Sequence, residues 1–165
     1  MKKDIYTLSL ELLQICQKHN LSLAIAESCT GGGLCQAITE ISGSSATLTC
    51  GFVTYSNESK INMLNVNPET LDSYGAVSAE TAKEMALGAL NNSNANIAVS
   101  ITGIAGPTGG TADKPVGTIW IGVAQDNTTT ILTRKILASS GRQYIRKTAI
   151  LNALQLLINA SNDYD

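Results

Sequence analysis

The sequence predicts a three-layer α/β/α domain built on a mixed sheet. Three observations carry that prediction. Strand and helix patterns alternate through the first part of the chain, two strand patterns then follow one another across a hairpin signal, and one long helical pattern closes the sequence. Alternation gives parallel strands with helices on both faces, whereas a hairpin adds an antiparallel pair.

The elements follow in order. Asp4 is placed to cap a first helix with Ile5, Leu8, Leu12 and Ile15 on one face, ending near His19 and Asn20. LSLAIA is a short strand of the fully buried kind. After three glycines, LCQAITEI reads as a helix closed by the polar turn SGSS. LTCGFVTYS is a second strand, and SNESKINML a short helix starting from Ser56 or Asn57. Pro68 opens PETLDSYG, which Gly75 stops. Ser78 caps a helix with Ala82, Met85, Ala86 and Ala89 on one side, ending in NNSN. NIAVSI is the third strand and leads into the turn-rich TGIAGPTGGTADKP. VGTIWIGVAQ and TTTILTRKILA are two further strands joined at Asp126-Asn127. The last helix, from about Gly141 to Ala160, turns Ile145, Ala149, Leu154, Leu157 and Ile158 inward.

A chain of 165 residues, 44% hydrophobic and 15% charged, fits one domain, residues 1–165, with a real core. The net charge is −2 and no basic stripe carries interleaved aromatics, so nucleic acid is not an expected partner. No segment has the length of a membrane span and no cleavable leader pattern is present, so the expected location is the cytoplasm. Cys16, Cys29, Cys35 and Cys50 lack paired CxxC spacing, and the single histidine, His19, sits in polar QKHN. No metal site and no cofactor are expected, and the cysteines read as small packing residues.

Three stretches at predicted strand ends carry candidate chemistry: AESCTGGG, FVTYSNESK and SITGIAGPTGGTADKPVG. Ser28 reads either as the N-cap of the following helix or as a nucleophile. Under the second reading, backbone N–H groups around Thr30, Gly31 and Gly32 serve an oxyanion or a phosphate. The glycine turn matches neither GxxxxGK[ST] nor GxGxxG nor GxSxG. His19 lies outside the three stretches, which disfavours a histidine base and leaves Tyr55 and Lys60. Each has a plain alternative: a half-buried strand tyrosine and a solvated helix lysine. A base lysine must be neutral, which requires burial or nearby positive charge. Thr102, with Gly103 and Gly106 after it, is placed to bond the lysine amine or a substrate, while Asp113 and Lys114 read as exposed loop charges. Arg142 and Arg146 share a face at the start of the last helix and suit a phosphate, or are simply solvated.

AESCTGG, GSS, GFVTYSNESK, the GAVS before a helix, TGIAGPTGG and KPVGTIWIGVA occur in an order that resembles the CinA C-terminal domain family, the bacterial nicotinamide-nucleotide amidases also called NMN deamidases. The match runs from about residue 5 to 158. The resemblance implies a CinA C-terminal-domain-like α/β fold and hydrolysis of the carboxamide of nicotinamide mononucleotide to nicotinate mononucleotide and ammonia, within pyridine nucleotide recycling. It places the family's serine on Ser28, its tyrosine and lysine on Tyr55 and Lys60, its hydroxyl residue before GIAGP on Thr102, and its arginine on Arg142. The aspartate often found ahead of that arginine is Gly141 here. Two-domain members carry a further N-terminal domain resembling molybdopterin-binding enzymes, for which 165 residues leave no room. The resemblance also implies a homo-oligomer, a dimer being the first expectation.

Together these readings expect Ser28, Lys60, Tyr55 and Thr102 to be catalytic. Thr30, Gly31, Gly32, Gly103, Gly106 and Arg142 are expected to bind a small nucleotide substrate. The competing expectation is a nucleotide-binding or regulatory module without turnover. A purely structural interaction protein fits least, because three polar loops meet at strand ends.

Overall fold

Apolar residues at successive positions on the central strands put an apolar surface on both faces of a sheet and draw helices onto each, and the computed structural model has that architecture. It describes residues 3–126, 128–135 and 140–164. The strands are β1 (Leu23–Glu27), β2 (Leu48–Val53), β3 (Ile97–Gly103), β4 (Thr118–Gln125) and β5 (Thr128–Lys135). The helices are α1 (Ile5–His19), α2 (Gly33–Thr39), α3 (Asn57–Leu64), α4 (Pro68–Tyr74), α5 (Ala79–Asn91) and α6 (Gly141–Asn162), with a 3-10 turn at Ser44–Ala46. The strand order is β2-β1-β3-β4-β5. β1 runs parallel to β2 and β3, while β3–β4 and β4–β5 are antiparallel, so the sheet is mixed as the sequence predicts. Asn127 of the hairpin signal, residues 136–138 of the last predicted strand, and Ser139 lie outside the described residues.

The caps follow the sequence closely. Asp4 accepts from Thr7 N at 2.8 Å, Ser56 and Ser59 form a reciprocal capping box, and Ser78 accepts from Thr81 N at 3.1 Å.

The two sheet faces differ in side-chain size. On one, Leu23, Ile25, Ile97, Val99 and Ile101 pack against α1, α2 and α6 through residues such as Leu12, Leu34 and Leu154. On the other, Ala24, Ala26 and Ala98 leave room for α3, α4 and α5 to pack close through Leu64, Leu71 and Met85. Close packing recurs between helices: a Cβ at Gly88 on α5 would overlap the backbone carbonyl of Leu64 at the end of α3.

β1, β2 and β3 are mutually aligned, so all three end on the same edge of the sheet. The segments that leave them, beginning at Ser28, Thr54 and Ile104, therefore gather at one place, the usual position of a site in an open α/β sheet.

Candidate active site

Ser28 is the first residue beyond β1, and its N–H donates to Ile101 O on the adjacent strand at 3.0 Å. Lys60 lies on α3, whose N-terminus the capping box fixes just after Thr54 and Tyr55. The short connection from β2 into α3 turns Lys60 inward, where it is 1% exposed and hydrogen-bonded to Ser28, with Nζ 3.0 Å from Oγ. Nζ also donates to Thr54 O at 2.8 Å. Among the described residues the salt bridge is Lys3–Glu11, far along the chain from this amine. Burial pushes the Lys60 pKa down from its ordinary 10.5, opposed in part by the neighbouring Cys29. The solvated-lysine alternative is thereby excluded. A buried amine without a carboxylate partner, touching a serine hydroxyl, is the arrangement a serine–lysine pair requires.

Ser28 opens onto a cleft of about 340 Å³ lined also by Cys29, Tyr55, Ala76, Thr102, Gly103, Gly106 and Arg142, among others. Five residues predicted from sequence therefore share that wall with the serine, and Lys60 stands behind it. Tyr55 is not a half-buried strand residue: β2 ends at Val53 and Tyr55 is 63% exposed at the rim. Its hydroxyl accepts from Arg142 Nη2 at 3.3 Å, and Arg142 Nη1 donates to Gly106 O at 2.9 Å. Arg142 thus faces the cleft with Gly141 before it. A cation in the first turn of a helix opposes the helix dipole, so its position concentrates positive charge at the cleft mouth.

Several expectations need correction. Ser28 does not cap α2: the N-cap position is Gly32, with φ 94° and no side chain. The helix donors Leu34 N and Cys35 N go instead to the two carboxylate oxygens of Glu27, at 3.0 and 2.9 Å. Gly31 N–H donates to Ser28 O at 3.0 Å, which occupies the donor proposed for an oxyanion. Thr30, Gly31 and Gly32 are not among the residues lining the cleft. Thr102 is 1% exposed and its hydroxyl donates to Ala76 O at 2.7 Å, so it secures the far wall rather than bonding the lysine. Arg146 parts from Arg142 and donates to Thr30 O at 2.9 Å, bracing the turn after Ser28. Lys114 is half-buried and donates to Tyr74 O, fastening the 104–117 segment to the end of α4.

Glu27 stands in AESCTGG, where the sequence gives it no role; its signal is a charged residue ending a strand that is buried throughout. The Thr54 carbonyl is a backbone group and leaves no trace in a side-chain pattern. Cys29 is buried beside Ser28, and desolvation pushes its thiol up to about 12, so it carries no thiolate near neutrality. All four cysteines are free. Among the described residues no group of three or more His, Cys, Asp or Glu side chains comes together to hold a metal, and no helix is long and apolar enough to cross a membrane.

Comparisons with known proteins show the family to which the chain belongs. The family model described as CinA C-terminal domain matches residues 5–161. A nicotinamide-nucleotide amidohydrolase PncC of Enterobacter agglomerans is 46% identical over 154 residues, covering 93% of each chain. A protein of Thermoanaerobacter sp. (strain X514) named for competence-damage induction is 47% identical over 146 residues, and the match spans 88% of this chain but 35% of that one. The chain thus spans about a third of the length of such longer relatives. Among solved structures, the competence/damage inducible protein CihA from Agrobacterium tumefaciens superposes with a TM-score of 0.94 at 44% identity, over 99% of this chain and 98% of the other. A competence-damaged protein (CinA) superfamily member from Klebsiella pneumoniae 700603 gives a TM-score of 0.93 at 30% identity, over 98% and 100%. With the family model spanning nearly the whole chain and a full-length relative at this identity, the protein belongs to the CinA C-terminal domain family.

Proposed function

We propose that this protein is an amidohydrolase that converts the carboxamide of nicotinamide mononucleotide to the carboxylate, releasing ammonia, as a step in pyridine nucleotide recycling. The observation that carries the reading is the contact between Lys60 Nζ and Ser28 Oγ at 3.0 Å in a nearly inaccessible position. The name of the Enterobacter agglomerans relative supports the choice of substrate.

Neutralising Lys60 reverses the 3.0 Å contact in which Nζ donates to Ser28 Oγ, so that the hydroxyl donates to the amine lone pair while Thr54 O holds one amine hydrogen. Ser28 Oγ attacks the carboxamide carbon as its proton passes to Lys60 Nζ. The oxyanion is received by backbone N–H groups of the cleft wall, for which the lining residues Cys29, Ala105 and Gly106 are the candidates, each such donor being worth about 3–4 kcal/mol. The carbon–nitrogen bond breaks, the nitrogen takes the proton from Lys60, and ammonia departs. Water then attacks the ester, giving its proton to Lys60, and the returning proton frees Ser28 with the product carboxylate. Arg142 holds the phosphate at the cleft mouth, so remote binding energy positions the amide. Tyr55 lines the same cleft as Ser28 and orients Arg142 through its hydroxyl.

Ammonia release from nicotinamide mononucleotide by the wild type and by Ser28→Ala tests this reading. Wild-type turnover is expected, with a loss of about 10³-fold or more in the variant. Equal turnover of the two proteins overturns the nucleophile, and nucleotide binding without ammonia release from any pyridine amide favours a non-catalytic module.

A further inference from the structure

Glu27 is 0% exposed, ends the strand that delivers Ser28, and is used by none of the chemical steps above. Its backbone is held on both sides, opposite Val53 on β2 and Ile101 on β3. Its carbonyl accepts from Thr54 N at 2.8 Å, and Thr54 O in turn accepts from Lys60 Nζ at 2.8 Å. Its side chain reaches forward to bind Leu34 N and Cys35 N, one carboxylate oxygen to each. One residue therefore links the strand before the serine, the carbonyl that holds the lysine, and the helix after the serine turn.

Stability alone does not explain that choice. Burying a carboxylate costs several kcal/mol unless its hydrogen bonds compensate, whereas a serine or aspartate at the N-cap does the same work at the surface. Here the N-cap is Gly32 in the left-handed region, where a side chain is strained. The cap comes instead from the residue immediately before Ser28, so the five-residue turn from Ser28 to Gly32 is closed by a clamp across its two ends. We infer that Glu27 is a positioning residue, which fixes the Ser28 turn so that the hydroxyl stays within bonding distance of Lys60. This inference rests on the serine reading given above. The clamp needs two acceptor oxygens. In Glu27→Gln an amide NH₂ faces one of the two N–H donors, so that half of the clamp opens while size and burial are kept.

The test measures two rates at Ser28. One is amide turnover. The other is labelling by an alkyl fluorophosphonate, in which the Ser28 Oγ–P bond forms, the P–F bond breaks, fluoride leaves and the hydroxyl proton passes to Lys60. For Glu27→Gln the expected result is kcat and labelling rate both lowered by about 10- to 100-fold, with KM within about threefold and the folded fraction unchanged by circular dichroism. Glu27→Asp, one methylene shorter, is expected to fall in the same way. Wild-type rates in the folded glutamine variant overturn the inference, as does a loss that only mirrors loss of folded protein in both variants. If the wild type labels at Ser28 but hydrolyses no pyridine amide, the proposed substrate fails, while slower labelling of Glu27→Gln still supports the clamp. No labelling of the wild type overturns both.

Discussion

Lys60 Nζ and Ser28 Oγ are 3.0 Å apart, and the lysine that makes this contact is among the largest fully buried side chains of the protein. On the proposed mechanism, the contact makes the serine's reactivity depend on the lysine's protonation. Burial lowers the Lys60 pKa below 10.5, so the base becomes available at lower pH than an ordinary lysine allows. kcat is therefore expected to rise with pH through that lowered value and to level off above it. Lys60→Met is expected to remove acylation while retaining the fold. A pH–rate profile on nicotinamide mononucleotide checks both; a flat profile in the wild type contradicts the assignment.

The same burial makes a prediction for stability. The folded protein gives up the Lys60 proton more readily than the unfolded chain, so between the lowered value and 10.5 the unfolded state binds more protons. Stability contributed by this residue therefore rises with pH across that interval. Lys60→Met has no such dependence. It is expected to melt at or above the wild-type temperature at neutral pH, with the difference shrinking as pH climbs toward 10.5. Thermal melts at a series of pH values read the sign directly.

Arg142 donates to Gly106 O and to the Tyr55 hydroxyl while facing the cleft. Replacing it with Gln is expected to raise KM for the phosphorylated nucleotide by about 10- to 100-fold, the worth of a charge-assisted hydrogen bond, with a smaller change in kcat. Nicotinamide riboside, which lacks the phosphate, should distinguish variant from wild type by less than threefold, roughly the worth of one weak contact. Steady-state kinetics on the two substrates separates phosphate anchoring from a general disturbance of the cleft.

Thr102→Val removes the donor to Ala76 O without touching the lysine. A stability loss of about 1 kcal/mol is expected in urea denaturation. The pH midpoint of turnover should stay where it is in the wild type, whereas a shift would return Thr102 to the proton network.

Thiol chemistry offers an independent check on the interior. Desolvation raises the Cys29 and Cys35 thiols to about 12, so neither is a ready nucleophile at pH 8. Iodoacetamide at that pH is expected to leave both unmodified in the native protein and to leave turnover intact, with all four cysteines reacting after denaturation. Peptide mass spectrometry locates the modified residues.

The order of elements, the caps at Asp4, Ser56 and Ser78 and the buried faces were legible because they depend on neighbours within a few residues. The motifs that carry Ser28 and Lys60 were also legible, and the structure brings these two side chains into contact. What escaped the sequence depends on distant partners. Ser28 has the ordinary composition of a cap, but the cap belongs to Glu27, seven and eight residues from the donors it binds. Arg142 and Arg146 look equivalent at a spacing of four, yet one meets Gly106 and the other Thr30. Thr102 reads in the sequence as a partner of the lysine amine or a substrate, but its hydroxyl goes to Ala76 O, 26 residues away.

Gly88 shows how far from the cleft its geometry is set. α3 rests its last turn on the missing side chain of that residue, with the Leu64 carbonyl occupying the space a methyl group would need. The same short helix carries Lys60 one turn earlier. The spacing of two helices on the far layer is therefore tied to the helix that carries the amine, and one added carbon at position 88 would force a shift where α5 meets the end of α3. A substitution remote from the cleft, in a residue with no functional group, thereby bears on the helix that holds Lys60.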